Sequence, residues 1–252
     1  MTRLFIAALI CAAGFSTVNA TVGAASAAPV DVPDTMAERM KPCTICHGES
    51  KADAGGAAAM AGRDAYYPRI AGKPEGYLFN QLRNFRDGRR YYRPMAVLLE
   101  NLSDQYLMQM AQYFSALKQT YPPPERMVSS PAEIKLALKL IDHGDPARKI
   151  PACRECHGKE LMGTNPFIPG LLGLPRAYMI AQLGAWRSGG LMRRQSADCM
   201  SEIAKQLTAE EANAIAAWLA AQPVPADTGP GIALSAEMSG RCGIGLSSGT
   251  RP

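Results

Sequence analysis

Cys43-Thr44-Ile45-Cys46-His47 and Cys153-Arg154-Glu155-Cys156-His157 are the two stretches from which the rest of the chain can be read. In each, two thiols separated by two residues are followed at once by an imidazole, the pattern for covalent attachment of a c-type haem. The spacing has a chemical reason. Two intervening residues let the backbone turn so that both sulfurs reach the vinyl groups on one edge of a porphyrin, and the adjacent His then lies under the iron and supplies a nitrogen ligand. Zinc prefers four ligands gathered from neighbouring pairs, and a redox dithiol needs only one pair in a βαβ setting. Neither accounts for a histidine directly after both pairs. Cys43, Cys46, Cys153 and Cys156 are therefore candidate attachment residues, His47 and His157 candidate iron ligands, and two haem c groups the implied cofactors.

The chain of 252 residues holds three histidines, His47, His143 and His157, and 13 methionines. Two bis-His haems cannot be built from that number, so the sixth ligands come largely from elsewhere. His143, in Asp142-His143-Gly144-Asp145, reads as a surface histidine at a helix end, where its protonated form is favoured. An internal repeat points to the ligands. Pro68-Arg-Ile-Ala-Gly72-Lys-Pro74-Glu-Gly-Tyr77-Leu-Phe-Asn-Gln81-Leu82 matches Pro169-Gly-Leu-Leu-Gly173-Leu-Pro175-Arg-Ala-Tyr178-Met-Ile-Ala-Gln182-Leu183 at an offset of 101, and Leu102-Ser103-Asp104 matches Leu207-Thr208-Ala209 at 105. Met95 lies eight residues before Ser103, and Met200 eight before Thr208. Met108, Met110, Met179 and Met192 have no such counterparts. Core packing is the usual role of methionine, but the matched positions make Met95 and Met200 the candidate axial ligands. Pro94 suggests an extended loop presenting the Met95 sulfur.

The remaining pattern is all-α. Helices are expected from about Pro33 to Cys46 and from Pro131 to Gly144, each leading into a Cys motif. Middle helices are expected over Gly76 to Arg86 and Arg176 to Arg187. Ser103 and Thr208 read as N-caps with acidic residues in the first turn, followed by helices to about Leu117 and Ala221 with apolar residues at helical spacing. No run reads as a strand. Lys118 to Ser130 contains Tyr121-Pro122-Pro123-Pro124, a stiff spacer. The expected organisation is a domain over 31–121, a Pro-rich linker over 122–130, a second domain over 131–225 and a tail over 226–252.

Residues 1–20 read as a signal peptide: Arg3, an apolar run from Leu4 to Phe15, then small residues allowing cleavage after Ala20 or as late as Ala27. Twelve apolar residues are too few to span about 30 Å of hydrocarbon. Cys11 leaves with this segment, and Ile10 before it does not suit a lipoprotein signal. Export implies a disulfide-permissive compartment. The net charge of +5 is too weak to indicate nucleic acid, and an aromatic content of 7% suits a core filled partly by a large flat cofactor.

Together the two Cys-x-x-Cys-His-Gly motifs, the Pro-x-x-x-Gly segments at 68 and 169, and the Met residues at 95 and 200 ahead of Leu-Ser/Thr resemble the dihaem cytochromes of the c-four type. These are two tandem class I cytochrome c domains, each wrapped around one haem. The resemblance covers about 31 to 222. It implies a periplasmic electron carrier between a quinol-oxidising complex or dehydrogenase and a terminal oxidase, touching membranes only through partner complexes or an uncleaved signal. It also implies that Pro68 and Pro169 offer backbone oxygens to the proximal histidines. The alternative is a cytochrome subunit dedicated to a dehydrogenase complex, which the extra tail favours. A dihaem peroxidase needs an open iron position, against which the two matched methionines argue.

The loop from His47 to Pro68 is longer than that from His157 to Pro169, and the tail carries Cys242. Cys199 and Cys242 are the non-haem cysteines of the mature chain and a candidate disulfide that would brace Met200. Arg83, Arg86, Arg89, Arg90 and Arg93, with Arg176, Arg187, Arg193 and Arg194 in the second half, form basic clusters. These either steer the protein to an acidic partner or form a solvated helix face with some residues contacting haem propionates.

Overall fold

A computed structural model describes residues 35–48, 67–118, 121–189, 199–226, 229–231 and 234. The repeated segments set the architecture. The first gives α3 (Glu75–Arg86) and the second α8 (Arg176–Arg187). The capped segments give α5 (Asp104–Ala116) and α10 (Ala209–Ala220). Ser103 Oγ accepts from the Tyr106 N–H at 3.2 Å, and Thr208 Oγ1 from the Glu211 N–H at 3.1 Å. Each satisfies an N–H that the helix itself leaves unpaired, worth about 1 kcal/mol.

Each half has its own core within one compact unit, Pro33–Pro252. In the first, Leu107, Met110, Ala111 and Phe114 recur at helical spacing along α5 and are buried with Leu78 of α3, Met40 and Leu99. In the second, α10 packs on α8 and on α6 (Pro131–Leu138), burying Leu140, Ile141, Leu161, Ile215 and Leu219. The loop before each middle helix turns at a glycine in the left-handed region, Gly72 at φ +71° and Gly173 at φ +68°. A Cβ on Gly173 would come within 2.5 Å of the Tyr121 ring. Only glycine suits both conformation and space there.

Several expectations change. The first Cys motif lies within a short helix, α2 (Lys41–His47), separate from α1 (Met36–Arg39) before it, because Pro42 can occupy only the first turn of a helix. The predicted helix from Pro131 to Gly144 is α6 followed by a π-helical turn, Lys139–His143, ending at Gly144 with φ +68°. The second motif forms a separate helix, α7 (Cys153–His157). Gly163–Thr164 and Ile168–Pro169 pair as two short antiparallel strands, β1 and β2, where no strand was expected. They close the tight loop after His157, and two residues a side are too few to leave a period-2 pattern. Met95 lies in a helix, α4 (Arg93–Leu99), rather than in an extended loop. Pro94 sits in its first turn, where the missing N–H costs nothing. Met200 is likewise helical, in α9 (Cys199–Gln206).

The linker binds the second half. The Glu125 N–H donates to Ala220 O at 2.9 Å, and Glu125 Oε1 accepts from the Arg176 N–H at 2.9 Å. The two halves meet through matched residues of the repeat. Tyr77 and Tyr178 both line a cavity of the second half, and Arg90 reaches the Tyr178 hydroxyl at 3.4 Å. Arg90 donates to Gln81 Oε1 at 2.7 Å and to Gln182 Oε1 at 2.6 Å. The Tyr77 N–H reaches Pro166 O at 3.0 Å. The chain thus places its repeats face to face at the boundary.

Candidate functional site

Both motif histidines are held in the same way. His47 Nδ1 lies 2.9 Å from Pro68 O, and His157 Nδ1 lies 2.8 Å from Pro169 O. A carbonyl only accepts, so each Nδ1 carries the proton and each Nε2 keeps its lone pair. Burial pushes both imidazoles below the usual histidine range, against the opposing effect of the proline carbonyl bond. Arg90 depresses His47 further, and Lys73 depresses His157. Two neutral rings with a free, oriented Nε2 are what ligation of iron requires.

The second site is the more enclosed. Cys153, Cys156, His157, Pro169 and Met200 all line one cavity of about 260 Å³. Its remaining wall is largely apolar, including Leu171, Leu174, Trp186, Ile203, Leu207, Ile215 and Leu219. The first site draws on α2, α4 and the Pro68 segment. Cys43 and Met95 pack against the same core cluster, and the His47 ring meets Tyr67 edge-on with centroids 6.3 Å apart. Cys43, Cys46, Cys153 and Cys156 are free of disulfides. At the second site two thiols, an imidazole with Nε2 available and a thioether around an apolar cavity form the donor set of a covalently attached haem with His and Met ligation, so the residues fit the group, and the first half presents the same four residue types.

Cys199 is disulfide-bonded. Cys242, its expected partner, lies outside the described residues, as do Arg193, Arg194, Met192 and the whole of residues 1–34. Most of the first basic cluster is engaged within the fold. Arg86 pairs with Asp104 at 2.6 Å and Asp87 at 2.9 Å, Arg83 with Asp104 at 3.6 Å and Arg89 with Asp87 at 3.6 Å, while Arg90 is the bridge described above. His143 is exposed at the end of its π turn, as expected.

Sequence reasoning missed one set of residues at the second cavity. Lys73, Tyr77 and Gln81 belong to the first half yet line the cavity of the second. Lys73 is 9% exposed and donates to Gly170 O at 3.2 Å. Burial, with Arg69 adding to it, pushes its ammonium down to about 7. The available signal was a break in the repeat: Lys73 stands where the second copy has Leu174.

No family model matches the chain. It is 37% identical over 215 residues to the thiosulfate dehydrogenase electron acceptor of Thiomonas intermedia, covering 83% of this chain and 89% of that protein. To cytochrome c4 of Pseudomonas aeruginosa it is 30% identical over 178 residues, 70% of this chain and 82% of the other. The structure matches that of reduced cytochrome c4 from Pseudomonas stutzeri with a TM-score of 0.60 and 26% identity, over 74% of this chain and 96% of that one. It also matches thiosulfate dehydrogenase from Marichromatium purpuratum with a TM-score of 0.55 and 32% identity, over 73% of this chain but only 37% of that longer chain. With the repeat, the twin motifs and these likenesses in agreement, the chain belongs to the cytochrome c4 family of electron-transfer proteins, all-α class I folds carrying two covalently bound haem c groups.

Proposed function

We propose that this chain is a periplasmic electron acceptor for a thiosulfate dehydrogenase, with iron ligands His47 and Met95 in one half and His157 and Met200 in the other. The observation that carries the partner is the identity of 37% along 89% of the Thiomonas intermedia electron acceptor. A signal peptide over residues 1–20 supports export, and no described helix is long and apolar enough to cross a membrane.

Haem c supplies an iron that cycles between ferric and ferrous. The chain does the rest. Pro68 O and Pro169 O fix the proximal rings and strengthen their donation. The thioethers of Met95 and Met200 favour the ferrous state over what bis-His ligation would give. His47 with Met95 and His157 with Met200 would each hold a haem iron through both transfer states, so that the ligands would not need to rearrange. Two halves hold two electrons.

The test is stopped-flow mixing of the oxidised holoprotein with a purified thiosulfate dehydrogenase and thiosulfate. Reduction of both haems, absent when either component is left out, is the expected result. Failure to reduce in this mixture, with rapid reduction by a quinol-oxidising complex, would move the protein to the general respiratory role, a reading that likeness to Pseudomonas aeruginosa cytochrome c4 supports.

We also propose that the partner of Cys199 is Cys242, tying the tail to the residue beside Met200. Peptide mass spectrometry of the denatured, unreduced protein should find the two linked. Cys242 alkylated without prior reduction would rule the pairing out.

A further inference from the structure

We infer that Lys73, a residue of the first half, is a positioning residue of the second haem site, and that its charge raises the potential of the second haem. The inference rests on the haem ligation proposed above, but not on the identity of the donor. Three observations carry it. Lys73 lines the same cavity as Cys153, Cys156 and His157, having crossed the boundary between the halves to reach it. Its Nζ donates to Gly170 O at 3.2 Å, the peptide next to the Pro169 carbonyl that orients His157. And this buried ammonium has no carboxylate partner among the described residues, while a second cation, Arg69, acts on it.

A buried cation without a counter-charge is costly, and proteins keep one where a ligand supplies the missing anion. Haem brings two carboxylates, the only anions that the chemistry of this cavity calls for. The charge also acts on iron. Ferric haem carries one more positive charge than ferrous haem, so a nearby ammonium disfavours the ferric state and raises the potential, strongly so in a low-dielectric wall. The repeat makes the effect asymmetric. The residue matching Lys73 is Leu174, which also faces the boundary, so at this position the second half offers the first site no charge. The first site has a cation of its own half, Arg90, acting on His47, so the effect of Lys73 is one to be read at the second haem.

The test is a spectroelectrochemical titration of the holoprotein and of K73M, K73Q and K73R, with each haem identified by its paramagnetically shifted methyl resonances. The expected result is a downward shift of the second haem's potential in K73M and K73Q, a much smaller change at the first haem, and near-native values in K73R. Gln retains a donor for Gly170 O, so a shift shared by K73M and K73Q reads charge rather than the hydrogen bond. Equal shifts of both haems, or none at the second, would overturn the inference. Should K73M fold poorly, K73Q and K73R still decide it. Loss of the Met-to-iron absorption in the unmutated protein would instead count against the ligation beneath it, so the two failures are distinguishable.

Discussion

Replacing Cys153 and Cys156 together with alanine is expected to leave a chain with one haem and an unfolded second half. Without the thioether links the second haem is free to leave, and the core around it was not built to close on itself. The cavity lined by these cysteines, His157 and Met200 is about 260 Å³. At about 24 cal/mol per Å³ of residual cavity, leaving it unfilled costs about 6 kcal/mol. A domain has only about 5–15 kcal/mol of stability in total, so the loss takes most or all of it. Lys73 would also remain buried against a site with no anion. The first core, built from Met40, Leu78, Leu99, Leu107 and Phe114, is a separate cluster and should keep its haem. Haem absorbance per chain should fall by half. Amide protection should vanish in α8 and α10 and persist in α3 and α5. Persistent protection in α8 and α10 would mean that the second core collapses onto the space, contradicting the role given to the cofactor in holding this half together.

What the sequence made legible depended on what was repeated. The middle helices are expected over Gly76 to Arg86 and Arg176 to Arg187 and observed at Glu75–Arg86 and Arg176–Arg187, because each carries a helical apolar pattern after a proline. Ser103 and Thr208 are legible as caps because a hydroxyl before an acidic first turn has one local use. The hydrogen bonds from His47 and His157 to Pro68 and Pro169 followed from the family resemblance and are present at both sites. The elements that differ from expectation have tertiary causes. The π turn at Lys139–His143 buries Leu140 and Ile141 in the second core, the short β1–β2 pair brings Ile168 and Pro169 to the second cavity, and no local period encodes either. Lys73 was hidden because its function depends on a segment 97 residues away. A side chain serving the opposite half leaves no trace in the spacing of its own half.

The same logic of matched positions makes its sharpest commitment at Met200. Met200→Ala is expected to remove about half of the ferric Met-to-iron charge-transfer absorption. One potential should fall by a sizeable part of the roughly 0.8 V range that axial ligands control, and carbon monoxide should bind one of the two reduced haems. Alanine has no donor atom, so the sixth position opens, while the small loss of packing in α9 leaves the cysteine links and His157 in place. A rival exists in the structure. Met179, in α8, is buried at 6% exposure and lines the same cavity. Geometry of the lining alone does not separate the two thioethers. The repeat does: Met200 stands at the position of Met95, eight residues before an N-cap, while Met179 matches Leu78, a residue that packs the first core. Met179→Ala should therefore leave the absorption and both potentials close to native and cost only stability, about 2–5 kcal/mol for a buried Met to Ala change. The reverse outcome, absorption lost in Met179→Ala and retained in Met200→Ala, would break the symmetry from which both axial ligands were assigned. It would put Met95 in question along with Met200, since one argument supports the two.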